Sequence, residues 1–158
     1  MRRSNGAKRE RILNDDEIRA VWKACDGMGT FGAMVRVLLL SAQRKDKVGT
    51  MQWDDVVDGV WTMRKELREK SHAGTLKLPA MALAIIDAQP RLMDNPYVFA
   101  AGHGQRPFNS FSQRKAELDK QLPETMSPWR YSLTTCMLLA PPCGRRSSPR
   151  RSIFQIPA

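Results

Sequence analysis

The sequence predicts an α+β fold, a mainly helical domain carrying one small antiparallel β-sheet. Two patterns and a size argument predict it. Apolar residues recur every three or four positions through 18–25 and 31–39, the spacing of a helix face, whereas β-branched residues on both sides of Asp58-Gly59 carry the signature of a hairpin. The chain has 158 residues, 42% of them hydrophobic and 27% charged, enough for one domain with a real core and too few for two.

Asn14-Asp15-Asp16-Glu17 opens the first element, because a capping amide followed by acids suits the positive end of a helix. Ile18, Val21, Trp22 and Cys25 then share one face. This predicts a helix over 15–26, ended by Asp26-Gly27, with Cys25 a core residue rather than a reactive thiol. Thr30 can cap a second helix, whose Phe31, Met34, Val35, Leu38 and Leu39, widened by Val37 and Leu40, form a broad apolar face. That helix is expected at the centre of the fold. After Ser41-Ala42-Gln43-Arg44-Lys45-Asp46-Lys47 the period moves towards two, and Val56-Val57 and Val60-Trp61 flank a turn whose Gly59 takes positive φ cheaply. A third strand is expected over Thr75–Leu78. Pro79 then starts a helix with Met81, Leu83, Ala84, Ile85 and Ile86, and Tyr97–Ala100 is expected as a short strand or extended segment. A last amphipathic helix over Phe111–Leu122 should turn Phe111, Ala116, Leu118 and Leu122 inward.

The net charge is +10, and it sits at the ends. Residues 1–12 hold Arg2, Arg3, Lys8, Arg9 and Arg11 against Glu10, residues 127–158 hold five arginines and no acid, and the stretch between is nearly neutral. Such ends suit a polyanion such as DNA or an anionic surface, or they are simply soluble tails. Residues 131–158 lack Asp, Glu and Lys and keep no helical or strand period through Pro141-Pro142, Gly144 and Pro149. The expected organisation is a basic arm over 1–12, a folded domain over 13–130 and a disordered Arg/Ser/Pro-rich tail over 131–158.

Cys25, Cys136 and Cys143 make no paired framework and no CxxC spacing, which points to a reducing, cytoplasmic setting. The longest aliphatic run, Val37–Leu40, is far short of the roughly 20 residues that span a bilayer, so no membrane partner is expected. GxSxG, P-loop, GxGxxG and HExxH patterns are missing, so neither a metal nor a small-molecule cofactor is expected. His72 and His103 lie in polar or Gly-rich stretches and are expected in solvent.

Arg44 follows the most apolar helix and stands in a tight polar turn, where a rigidly held guanidinium can grip a phosphate with two hydrogen bonds. By the residues alone its plainer role is to neutralise the carboxyl end of that helix or to pair with Asp46. The stretch Leu38-Leu39-Leu40-Ser41-Ala42-Gln43-Arg44-Lys45-Asp46-Lys47-Val48, with Met51-Gln52-Trp53-Asp54-Asp55-Val56, resembles the first catalytic box of the tyrosine recombinases, the phage integrase family. Upstream, Arg9-Glu10-Arg11-Ile12-Leu13 with Asp15-Asp16-Glu17-Ile18 and Trp22 is similar to the start of that family's catalytic domain. Downstream, Lys70 before Leu76-Lys77-Leu78-Pro79 resembles its hairpin lysine and strand end, and Tyr97-Val98-Phe99 a later segment. The resemblance covers roughly residues 9–130.

The resemblance implies DNA integration or site-specific recombination, with DNA and other recombinase protomers as partners. It implies that Arg44 binds the scissile phosphate and stabilises transition-state charge, and that Lys70, with Lys77 as its rival, protonates the leaving 5′ oxygen. Ala42 and Lys47 stand where the family usually has Gly and Glu. After Pro128-Trp129-Arg130 the family's second box and nucleophilic tyrosine do not follow. Tyr97 and Tyr131 are the tyrosines of the sequence, and neither stands at that position. The expectation is therefore an incomplete catalytic domain, truncated before its second box, that binds DNA without cleaving it, with Leu38, Leu39 or Trp22 partly uncovered. A non-catalytic basic DNA-binding protein and a protein-interaction module remain the alternatives.

Overall fold

The computed structural model describes residues 13–64, 74–101, 104–123 and 126. Helices α1 (Asp15–Ala24), α2 (Gly29–Ser41) and α3 (Lys45–Gly49) come first, then a 3₁₀ turn at Trp53–Asp55. Strands β1 (Val56–Val57), β2 (Val60–Thr62) and β3 (Thr75–Lys77) follow, and helices α4 (Ala80–Asp87) and α5 (Phe111–Lys120) complete the order. The architecture is the expected α+β. The basic arm, the tail over 131–158, Lys70, His72 and His103 lie outside the described residues.

Asn14 caps α1 through a reciprocal box: its Oδ1 accepts from the Glu17 amide at 2.8 Å, and its own amide donates to Glu17 Oε2 at 2.9 Å. Ile18, Val21 and Ala24, three residues apart, turn one face of α1 into the core. The helix stops at Ala24, two residues before the expected end. Its last turn is tied to α2 by Arg36, which donates to the Trp22 carbonyl at 2.9 Å, pairs with Asp26 and lies 5.0 Å from the centre of the Trp22 ring.

α2 begins at Gly29, and its N-cap position, Met28, makes no side-chain cap bond; Thr30 therefore lies inside the helix rather than at its cap. Phe31, Gly32, Met34, Val35, Val37, Leu38, Leu39 and Ser41 are all buried. A helix apolar on nearly every side has to be covered on nearly every side, and α2 packs against α3 and α4. Leu38 and Leu39 keep only 3% and 7% of their surface, so the expected uncovering of these two does not occur, while Trp22 is half-buried beneath Arg36.

Asp58 and Gly59 both take positive φ, 50° and 76°, the backbone twist that lets a two-residue loop join right-twisted strands. Val57 pairs with Val60 and Val56 with Trp61; β3 then adds to the far edge of β2, Trp61 facing Leu76 and Thr62 facing Thr75. Trp61 is 1% exposed and anchors this three-stranded sheet to the core. Pro79 stands at the N-cap of α4, which buries Ala82 and Ile86. The expected strand at Tyr97–Ala100 consists of two single bridges, Gln52 with Tyr97 and Ala100 with Pro107. Buried Asn95 organises this loop, donating to the Gly104 carbonyl at 2.7 Å and accepting from the Tyr97 amide at 3.0 Å. α5 buries Leu118, with Phe111 and Leu122 half-buried, whereas Ala116 faces solvent, contrary to expectation. Among the described residues no helix is long and apolar enough to cross a membrane.

Gly32 and Cys25, at the α1–α2 junction, each generate predictions. A Cβ on Gly32 would stand 2.2 Å from the Cys25 carbonyl oxygen, a backbone atom with nowhere to go. Gly32→Ala should therefore cost about 1–3 kcal/mol or more, read as a lower denaturation midpoint at unchanged m-value. Cys25 is 3% exposed, and burial pushes its thiol from 9.0 up to about 12, against the smaller opposing pull of Arg36. The thiol is protonated in both states below 9.0, and above it the unfolded chain ionises first. Stability should then fall by up to about 1.4 kcal/mol per pH unit as pH rises from that value, an effect absent in Cys25→Ala. Peptide mapping after alkylation near neutral pH should find Cys25 unlabelled in the native chain and labelled in denaturant.

Candidate functional site

The carboxyl end of α2 sets the position of Arg44. Ser41 is buried, and Ala42 turns the chain with φ 55° and ψ 25°, its amide donating to the Leu38 carbonyl at 3.0 Å. This left-handed cap is where glycine is normally favoured, since a Cβ costs energy there. Gln43 follows, and Arg44, extended at φ −67° and ψ 141°, is the N-cap of α3. Its carbonyl accepts from the Val48 amide at 3.1 Å, so the backbone of Arg44 is fixed at both sides while its side chain is exposed. Asp46, one of the simpler partners considered for Arg44, pairs with Lys45 at 3.3 Å, and the Lys45 ammonium lies 4.7 Å from the centre of the Phe111 ring.

One turn further on, the structure brings together a cluster that the sequence reading had not assembled. Lys47 is 9% exposed, and its Nζ donates to the Arg64 carbonyl, tying α3 to the residues just after β2. Asp55 is equally buried. Its Oδ1 accepts from Arg64 Nε at 2.7 Å and its Oδ2 from the Gln52 amide at 3.0 Å, so one carboxylate both caps the 3₁₀ turn and holds the arginine. Lys47 thus has its charge beneath α3, at the position where the resemblance expects an acid. The one signal for this in the sequence was a lysine directly beside Val48, inside a helix too short to show a period.

Lys77, the rival for the hairpin lysine, lies in β3 opposite Val60 and is exposed. Lys70 lies outside the described residues. Among the described residues no group of three or more His, Cys, Asp or Glu is placed to hold a metal ion.

No protein-family model matches the chain, and no curated protein matches it. Among solved structures it is similar to a crystal structure of lambda integrase, residues 75–356, as a dimer bound to a COC′ core site. The TM-score is 0.55 at 19% identity, over 75% of this chain and 45% of that one. The chain thus spans less than half the length of the structure it matches. The likeness establishes that the helices and small sheet are arranged in a lambda-integrase-like fold.

Ala42 generates a prediction of its own. Ala42→Gly should stabilise the chain by about 1 kcal/mol, because it removes the Cβ from a left-handed residue. A rise in the thermal midpoint with an unchanged circular dichroism spectrum would confirm it, and a fall would show that the left-handed cap carries no strain.

Proposed function

We propose that this chain is a DNA-binding domain of tyrosine-recombinase ancestry, from DNA integration or site-specific recombination, in which Arg44 contacts a backbone phosphate. The observation that carries the reading is the placement of Arg44: an exposed guanidinium on a backbone locked between a left-handed helix cap and the first turn of α3, in a lambda-integrase-like fold. A preorganised guanidinium loses less freedom when it forms two parallel hydrogen bonds to phosphate oxygens. In this reading Lys70 assists as a proton donor, with Lys77 as the alternative, and the recombinase-like sequence ends near residue 130, ahead of an acid-free tail. The solved neighbour is a DNA-bound dimer, which supports DNA and a second recombinase protomer as partners.

The same reading holds that the chain does not cleave DNA by itself. Strand cleavage in this family needs a tyrosine oxygen that attacks phosphorus and a group that protonates the 5′ oxygen as it leaves. Tyr97 is half-buried in its bridge with Gln52, and Tyr131 stands where the second box would begin, so Arg44 polarises a phosphate that no nucleophile of this chain attacks.

Gel-shift titration against salt tests the reading. Duplex DNA should bind in the micromolar range or weaker, with affinity falling steeply as salt rises and little preference for sequence. Arg44→Ala should lose about tenfold in affinity at unchanged stability, the worth of one charge-assisted contact. A suicide substrate should trap no covalent adduct. Absence of binding at low salt would overturn the DNA reading, and a trapped adduct would overturn the claim about cleavage.

A further inference from the structure

We infer that a second copy of this chain docks on the surface around Trp53, where an apolar turn beside an unpaired cation adjoins an apolar strand end flanked by unpaired acids. Among the described residues three large apolar side chains are exposed, Met93 by 94%, Val57 by 60% and Leu92 by 37%. Single exposed apolar residues are ordinary, but these fall in two groups, and a charge without a partner stands beside each. The first group is a fixed turn. The Leu92 carbonyl accepts from the Asn95 amide at 3.2 Å and Asp94 takes φ 62°, which sets Met93 at an outer corner. Just before it, the Arg91 guanidinium lies 4.3 Å from the centre of the Trp53 ring. Among the described residues Arg91 makes no ion pair, Asp94 of its own turn included, so its donors are left for an acceptor from outside.

The second group lies on β1, an edge strand of the sheet. Val57 stands there between exposed Asp54 and exposed Asp58, and among the described residues neither acid makes an ion pair. Trp53 joins the two groups: Arg91 lies on its ring, and Asp54 follows it in the chain. One chain thus supplies both halves of a contact, and a second copy is the occupant that the charges select. In an isologous twofold contact the 91–93 turn of each copy meets Asp54, Val57 and Asp58 of the other. Arginine and methionine are enriched in such contacts. The patch is small, so the dimer should be weak, with a Kd between about 1 µM and 1 mM.

In naming a seat for a second protomer the inference rests on the function proposed above, whereas its test needs no DNA. Sedimentation equilibrium of the whole chain should show a reversible equilibrium between monomer and dimer. Met93→Asp, at a side chain almost wholly in solvent, should weaken the dimer at least about tenfold with the circular dichroism spectrum unchanged. Lys120→Ala, at the exposed end of α5, should leave it as it is. The net charge of +10 makes two copies repel, and salt relieves that repulsion, so a charge exchange diagnoses the pairs better than salt does. Arg91→Glu and Asp54→Lys should each lose the dimer alone and regain it when mixed, because the pairs then form with their signs reversed. A wild-type chain that stays monomeric up to about 1 mM overturns the inference. So does a dimer that Met93→Asp leaves intact, or a mixture that does not regain it. If the dimer behaves as expected and no DNA binds, the earlier reading fails and this surface stands as a contact between copies.

Discussion

The rest of the molecule depends on the burial of α2. Phe31, Met34, Val35, Val37, Leu38 and Leu39 spread over more than half of this helix's circumference and all lie within the core, at about 1.5–3 kcal/mol for each side chain fully removed from water. No single neighbour can cover such a helix. α3 and α4 pack on it directly, and the aromatic file Phe31, Phe108 and Phe111, with ring centres 5.8 and 5.3 Å apart, closes it on another flank. Its two ends then become the tightest places in the fold. At the amino end α1 passes so near that Gly32 has no room for a methyl, and at the carboxyl end the chain must turn at once, through Ala42 in a left-handed conformation.

That turn connects packing to chemistry. Because α2 is immobilised by its core contacts and the turn is a single residue, the next fixed backbone, Arg44, inherits the rigidity of the core although its side chain is in water. The left-handed cap has an energetic cost in alanine, which the surrounding core contacts outweigh. Beneath α3 the cost is electrostatic instead. Lys47, Asp55 and Arg64 hold three charges at the edge of the core, and the carboxylate is satisfied twice over, by a guanidinium and by a backbone amide. Removing the Arg64 side chain would leave the buried Asp55 carboxylate without its ion-pair partner, so those two depend on each other, while Lys47 is tied to the Arg64 backbone.

The parts of this fold that were legible in the sequence are those set by local periodicity. The Asn14 box, the faces of α1 and α2, the Asp58-Gly59 turn and the start of α4 at Pro79 all follow from signals a few residues long. What escaped was decided by tertiary contact. α3 has five residues, too few for a period, and exists because the chain must turn back beneath α2. Thr30 has the chemistry of a cap, but glycines at 27 and 29, both at positive φ, let the helix begin before it. Ala116 is apolar and helical yet faces solvent, since α5 needs only one side to cover the core and Leu118 supplies it. The candidate site divides in the same way. Arg44 was legible from its place after an apolar helix, whereas the cluster of Lys47, Asp55 and Arg64 joins residues nine and seventeen positions apart through a hairpin, and no spacing rule pairs them.

Arg44, at the N-cap of α3, and Lys47, within it, differ in surroundings, and the difference bears on what each can do. Arg44 is exposed, so its field is cut off within about 8 Å at physiological salt, and in the role proposed for it the geometry of its fork matters more than its charge at a distance. Lys47, three residues on, is buried and turns its ammonium inward to the Arg64 carbonyl, so it joins α3 to the chain after β2 rather than to solvent. The lysine at 47, where the resemblance expects an acid, thus belongs to the frame beneath α3, and of the two cations Arg44 is the one left in contact with solvent.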